Sequence, residues 1–107
     1  MNTDGLIKEI TGLYQKHGWQ MRAILLRPDT RAAVDPGAVD PAMVRDAEVD
    51  AIWFSRPSHA GRDAWELRLI SDQPYALFET FEADETEEQR DEMRHELEAR
   101  LRDYVSK

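Results

Sequence analysis

The stretch from Trp65 to Tyr104 restricts the possible folds more than any other part of the chain. It contains two apolar-rich segments, 64–71 and 74–81, followed directly by a long charged segment. The first segment alternates apolar and polar residues, which is typical of a strand with one buried face. From Asp84 the spacing becomes helical, with four apolar residues on one narrow stripe: Met93, Leu97, Leu101 and Tyr104. The pattern predicts a β-hairpin and a helix that lies across the sheet.

The remainder of the chain adds one helix and two strands to this hairpin. An amphipathic helix is predicted over residues 4–17, with Gly18 as the residue that ends it. Strands are predicted over residues 19–27 and 48–57. The expected class is therefore α+β, in the order α-β-β-β-β-α: a four-stranded antiparallel sheet with the N- and C-terminal helices packed on one face. At 107 residues, the chain is expected to form a single domain, 1–107.

Residues 28–47 interrupt the regular pattern. Pro28, Pro36 and Pro41 disfavour both strand and helix, although one short helix over residues 41–46 is expected after Asp40. A connection of this length in a small domain is uncommon and is often functional. We treat residues 28–47 as a candidate lid or interface element.

Two further expectations concern the register of the hairpin and the N-terminal cap of the last helix. A two-residue turn would place Leu67 opposite Phe78, whereas a shift by one residue would place it opposite Leu77, and the pattern allows both. The last helix is expected to begin with Asp84 as its cap and Glu87 completing a capping box.

The charge and cysteine content narrow the functional classes. A net charge of −8 argues against binding to nucleic acid or to an anionic membrane surface. No apolar run reaches the roughly 18–20 residues of a membrane helix, and no secretory signal is recognised at the N-terminus. The sequence has no cysteine, so a reducing cytoplasm is the expected location. Residues 83–107 hold nine acids and five bases, a net charge of −4. This segment is either a solvated helix face or an acidic, immunity-type mimic that binds a basic partner.

No recognisable enzyme signature is present. The three histidines are far apart and lack metal-ligand spacing, so no metal and no cofactor are expected. His59 is the best acid–base candidate, and Trp53, Arg56 and Arg62 are the other residues expected at a pocket between residues 28–47 and the sheet. Ligand binding or catalysis in this pocket is the alternative to the leading prediction, which is a non-enzymatic protein.

The leading prediction comes from the sheet face turned away from both helices. Strand alternation places six large apolar residues there, which is more than solvent tolerates: Ile24, Leu26, Ile52, Phe54, Ile70 and Phe78. Three basic residues share this face and are expected at its rim: Arg22, Arg56 and Arg68. The predicted function is a protein-interaction module that forms a homodimer or binds a protein partner through this face and residues 28–47. The alternatives are that residues 28–47 fold beneath the face, that a bulge breaks the alternation, or that one helix crosses to this side.

Overall fold

The computed structural model describes residues 2–106 and has three helices and a five-stranded mixed sheet. The elements in chain order are α1 (Thr3–Lys16), β1 (Gln20–Leu26), α2 (Pro28–Ala33), β2 (Val44–Asp46), β3 (Ala51–Pro57), β4 (Asp63–Leu69), β5 (Ala76–Phe81) and α3 (Glu87–Val105). The strand order is β2-β1-β3-β4-β5, with β2 parallel to β1 and every other pair antiparallel. The α+β class is confirmed, whereas the prediction of four antiparallel strands is wrong.

The additional strand comes from residues 28–47. Pro28 begins α2, because a proline in the first helical turn loses no backbone hydrogen bond. Asp40 then caps only a single 3-10 turn over Pro41–Met43, accepting a bond of 2.9 Å from the Ala42 amide. Val44 returns to extended backbone and pairs with Ile24. The helix expected over residues 41–46 is therefore replaced by this turn and β2.

The two long helices lie on opposite faces of the sheet, so the prediction that both pack on one face is wrong. On one side, Ile7 and Ile10 of α1 join the cluster that contains Ile52 and Phe54. On the other side, Leu97 and Leu101 of α3 join the cluster that contains Trp53. The physical reason is the composition of β3, in which Ala51, Ile52, Trp53, Phe54 and Ser55 are all buried. A strand buried on both sides needs a cover on each face.

A β-bulge in β1 changes the direction of Arg22. Met21 lies opposite Phe54, but Ala23 already lies opposite Trp53, so Arg22 is the additional residue. The bulge sends Arg22 to the α3 side, where its Nε donates to Ser55 Oγ at 2.7 Å. The prediction that Arg22 shares a face with Ile24 is therefore wrong.

The structure also gives the register of the β4–β5 hairpin and the cap of α3. Leu67 lies opposite Leu77, because residues 70–75 form a longer connection than the expected two-residue turn. The cap of α3 is Thr86, whose side chain accepts from the Gln89 amide at 3.1 Å while Gln89 Oε1 accepts from the Thr86 amide at 2.9 Å. This capping box replaces the predicted one that began at Asp84.

Phe54 is expected to be one of the main sources of stability. It is 0% exposed and its ring stacks on Tyr14 with centroids 4.1 Å apart. We expect Phe54→Ala to lower the free energy of unfolding by about 3–5 kcal/mol. Phe78→Ala is the matched control, since Phe78 is 56% exposed, and it should change this quantity by less than about 0.5 kcal/mol. Denaturant titrations at low protein concentration measure both values, and equal losses would contradict the placement of Phe54.

Candidate functional site

The predicted interface residues separate into a buried group and an accessible group. Four apolar residues are only 0–1% exposed and lie inside the core: Ile24, Leu26, Ile52 and Phe54. Helix α1 covers them together with Val34 and Val39 of the segment 28–47. With Arg22 on the opposite face, four of the predicted residues remain together on the α1 side: Arg56, Arg68, Ile70 and Phe78. The continuous apolar patch expected from the strand pattern is therefore largely internal.

Part of the α1 side of the sheet is still uncovered, at the end of β3 and over β4 and β5. We call it the open face and define it by Arg56, Glu66, Arg68, Ile70 and Phe78. Phe78 lies opposite Glu66 on the outermost strand and is 56% exposed. A groove of about 420 Å³ separates this surface from the end of α1, where three side chains form its wall: Leu13, Tyr14 and His17. Leu13 is 55% exposed, so the apolar stripe of α1 extends beyond the sheet area that it covers.

The two arginines of the open face bind backbone carbonyls. Arg56 donates to the His17 carbonyl oxygen at 2.9 Å and its guanidinium lies 4.4 Å from the Trp19 ring centroid. Arg68 donates to the carbonyl oxygen of Leu69 and, at 3.5 Å, to that of Gln73. Neither arginine forms an ion pair with a carboxylate within residues 2–106. The open face therefore presents positive charge on a chain whose net charge is −8.

Tyr14 connects α1 to the open face. Its hydroxyl donates to Glu66 Oε2 and its ring stacks on Phe54. Burial, followed by the hydrogen bond and the charge of Glu66, raises the pKa of Tyr14 above its ordinary value of 10.0. The hydroxyl is therefore protonated at neutral pH and acts as a donor that holds Glu66 in place.

The outer edge of β5 borders the open face. The Leu69 amide donates to the Tyr75 carbonyl oxygen at 2.9 Å, and the two residues lie in the register of the β4–β5 pair. Because hydrogen-bonded and non-hydrogen-bonded pairs alternate, the backbone groups of Ala76, Phe78 and Thr80 point away from β4. The other edge strand, β2, has only three residues. An edge strand of six residues is a template for another strand. Of its outward-facing amides, that of Thr80 donates to Glu79 Oε1 at 3.3 Å within the chain.

The residues predicted for an acid–base or ligand pocket do not meet. Trp53 is 1% exposed on the α3 side, where its Nε1 donates to Glu98 Oε2 at 2.8 Å. His59 and Arg62 are exposed in the connection between β3 and β4, and Arg62 pairs with Glu82 at 2.9 Å. His59 and Arg62 lie away from Trp53 because they belong to the β3–β4 connection, whereas Trp53 lines a cavity of about 270 Å³ on the α3 side together with Arg45 of segment 28–47.

Two further cavities that the sequence pattern did not predict bear on ligand binding. The larger, about 580 Å³, lies between α1 and residues 35–40 and includes Thr11, Gly12 and Met21 among its lining residues. The smaller, about 270 Å³, lies on the α3 side beside Arg22. Gly12 and Gly37 were the available signals for the larger cavity, but helix periodicity alone places Gly12 on an outer face.

Metal binding and membrane spanning were also considered for the described residues. Within residues 2–106, no group of three or more histidine and acidic side chains is placed to hold a metal ion. No helix in this range has the length and apolar character needed to cross a membrane. Comparisons of the chain with protein-family models, with curated proteins and with solved structures find no match.

Removal of the Tyr14 hydroxyl tests its raised pKa. The difference in alkaline absorbance between the wild type and Tyr14→Phe gives the titration of Tyr14, and its midpoint is expected above 10.0. Because the folded pKa exceeds the unfolded one, the stabilising contribution is complete below about pH 10 and is lost as the pH rises toward the folded value. Glu66→Gln is the control and should lower the midpoint, since the Glu66 carboxylate helps to raise it. A wild-type midpoint at or below 10.0 would contradict this geometry.

Proposed function

We propose that the protein is a cytoplasmic, non-enzymatic protein-interaction module that self-associates through β5. In this proposal, the β5 strands of two copies pair antiparallel and join their sheets into one. The observation that supports it is the position of Phe78, a large apolar side chain that is 56% exposed on an unpaired edge strand. Pairing would satisfy the outward-facing backbone groups and shield this ring from water.

The sequence of β5 is self-complementary in one register. If Phe78 lies opposite Phe78 of the second copy, Ala76 lies opposite Thr80, and the backbone groups of all three face each other. Leu77 then lies opposite Glu79, so no two carboxylates are opposed. A register centred on Glu79 would place two like charges directly opposite and is disfavoured. The twofold arrangement is the common geometry of homodimers.

The charge distribution favours this proposal over acidic mimicry by α3. Several of the acids of α3 already pair within the chain: Glu87 and Asp91 contact Arg94, and Glu98 contacts Arg45. These carboxylates are committed to local ion pairs. A surface that recognises a basic partner needs carboxylates available for intermolecular pairing.

Small-ligand binding is a second candidate function, supported by the cleft of about 580 Å³ between α1 and residues 35–40. Its size is within the range of ligand sites, and its wall includes Ile7 and Ile24. Thr11 Oγ1 in this wall is buried and has no hydrogen-bond partner within residues 2–106. No atom lies within 4 Å of a Cβ placed on Gly12, so Gly12→Met would fill the cleft and block a ligand found there.

A charge placed on the β5 edge should separate the two copies. We expect the wild type to form dimers in sedimentation and light-scattering measurements over a series of protein concentrations, and Phe78→Asp to remain monomeric. Val105→Asp is the matched control because Val105 is also an exposed apolar residue, at 51%, but lies at the end of α3. A monomeric wild type at all concentrations, or a dimeric Phe78→Asp protein, would refute the proposal.

Hydrogen exchange and salt provide two further measurements on the same variants. In the dimer, the amides of Ala76 and Phe78 should be protected, and in Phe78→Asp the amide of Ala76 should exchange rapidly. The Thr80 amide is left out of this comparison because it donates to Glu79 Oε1 at 3.3 Å within the chain. Two copies of net charge −8 repel each other, so dimerisation should strengthen between roughly 50 mM and 500 mM salt. Weaker association at high salt would instead indicate attraction between opposite charges.

A further inference from the structure

The β1 bulge places Arg22 in an unusual environment. Its Nε donates to Ser55 Oγ at 2.7 Å, and Ser55 is the buried polar residue of the described core, at 3% exposed. The Arg22 guanidinium has no carboxylate partner within residues 2–106. The serine therefore fixes one nitrogen of the fork and leaves the two terminal nitrogens available. Bulges often redirect side chains at functional sites.

Two more arginines line the same cavity of about 270 Å³ on the α3 side. Arg45 comes from β2 and Arg94 from α3, so three separate elements contribute a guanidinium. Asp91 and Glu98 are the carboxylates of the lining, which gives three positive charges against two negative ones, a net charge of +1 with His95 neutral. Arg45 pairs with Glu98 at 2.9 Å, and Arg94 pairs with Asp91 at 3.4 Å and with Glu87 outside the lining.

Two aromatic side chains pack against each other in the wall of this cavity. Trp53 and Trp65 line it, and their rings meet edge to face with centroids 5.8 Å apart. The Arg94 guanidinium lies 4.6 Å from the Trp65 ring centroid, and the Trp53 indole donates to Glu98. The Trp65 ring positions Arg94 and the Ser55 hydroxyl positions Arg22, and groups positioned before binding lower the entropy cost of binding a ligand.

We infer that this cavity is an oxyanion site for the phosphate group of a small molecule. A phosphate carries about −1.5 to −2 charges at neutral pH and has three acceptor oxygens, which suits guanidinium groups converging from different elements. A carboxylate has two oxygens and one charge, and a single guanidinium satisfies it. The site lies on the α3 face and includes Arg22 of β1. It therefore does not depend on self-association through β5, which is an edge strand of the sheet.

Three small probes test the chemistry of this site in the full chain: inorganic phosphate, phenyl phosphate and benzoate. Calorimetry gives the affinity, and tryptophan fluorescence reports on the walls because Trp53 and Trp65 line the cavity. We expect saturable binding of phosphate and phenyl phosphate, and no comparable binding of benzoate. Tighter binding of phenyl phosphate than of phosphate would show that the site takes an organic phosphate, and equal affinities would show that the phosphate group alone is recognised.

Arg22→Gln should weaken phosphate binding by at least about tenfold, since it removes a charged hydrogen-bond donor. Arg56→Gln is the matched control: Arg56 is also exposed and has no carboxylate partner, but it lies on the open face, and its loss should leave binding unchanged. Ser55→Ala should weaken binding less than Arg22→Gln, because it frees the guanidinium without removing it.

Two controls accompany the binding measurements: the folding of each variant and its self-association. Thermal melting shows whether each variant is folded, and Arg22→Lys, which keeps the charge without the fork, replaces Arg22→Gln if that variant unfolds. The inference is overturned by non-saturable phosphate binding, by benzoate binding as tight as phenyl phosphate, or by equal losses in the Arg22 and Arg56 variants. Phosphate binding by the Phe78→Asp protein would support the site even if the wild type proves monomeric.

Discussion

Burial of β3 on both sides is the constraint from which the rest of the architecture follows. Five consecutive residues, Ala51–Ser55, have almost no contact with solvent. Because neighbouring side chains of a strand point to opposite faces, the two faces of the sheet each need an apolar cover. Helix α1 and residues 28–47 supply one cover, and α3 supplies the other. The chain therefore folds into three layers, with the sheet in the middle.

The two covers differ in length and in the strands that they contact. At 1.5 Å per residue, the 14 residues of α1 span roughly 21 Å and the 19 residues of α3 span roughly 28 Å. Helix α3 extends over β4 and β5, where Arg90 and Arg94 lie against the rings of Phe81 and Trp65. On the other side, α1 ends beside Glu66, and Phe78 is left in contact with solvent. The open face is thus the part of the α1 side that α1 does not cover.

Local patterns were enough to predict the class, the two long helices and most strand positions, because alternation and helical spacing report on each element separately. They could not predict β2, since its pairing with β1 depends on a contact between Val44 and Ile24 that no short window contains. The apolar run at Ile52–Phe54 did indicate burial on both faces of the strand. The assumption of strict alternation instead assigned these residues to one covered face and one exposed face. The bulge at Arg22 left no local signal, because Met21-Arg22-Ala23 fits either register.

Some residues of the candidate site could likewise be predicted from the sequence, and others could not. Arg56, Arg68 and Phe78 were predicted from strand alternation, and they lie together on the open face. Leu13 and Tyr14 were missed as site residues because their position on the apolar stripe of α1 predicts burial. In the structure Leu13 is 55% exposed at the groove, whereas Tyr14 packs against the core through Phe54 and reaches the open face through its hydroxyl.

The arginines without carboxylate partners distinguish structural from ligand-binding roles. The chain has 22 acidic and 14 basic residues, so an arginine without a carboxylate does not reflect a shortage of acids. Arg56 has a structural explanation, since it binds a carbonyl at the C-terminal end of α1, where helix carbonyls lack partners and cations are favoured. Arg68 likewise binds carbonyls next to the β4–β5 connection. Arg22 has only the Ser55 hydroxyl, which positions its guanidinium without neutralising the charge. Arg22 is exposed beside Arg45 and Arg94 in the same cavity, so its two terminal nitrogens can donate to a bound anion.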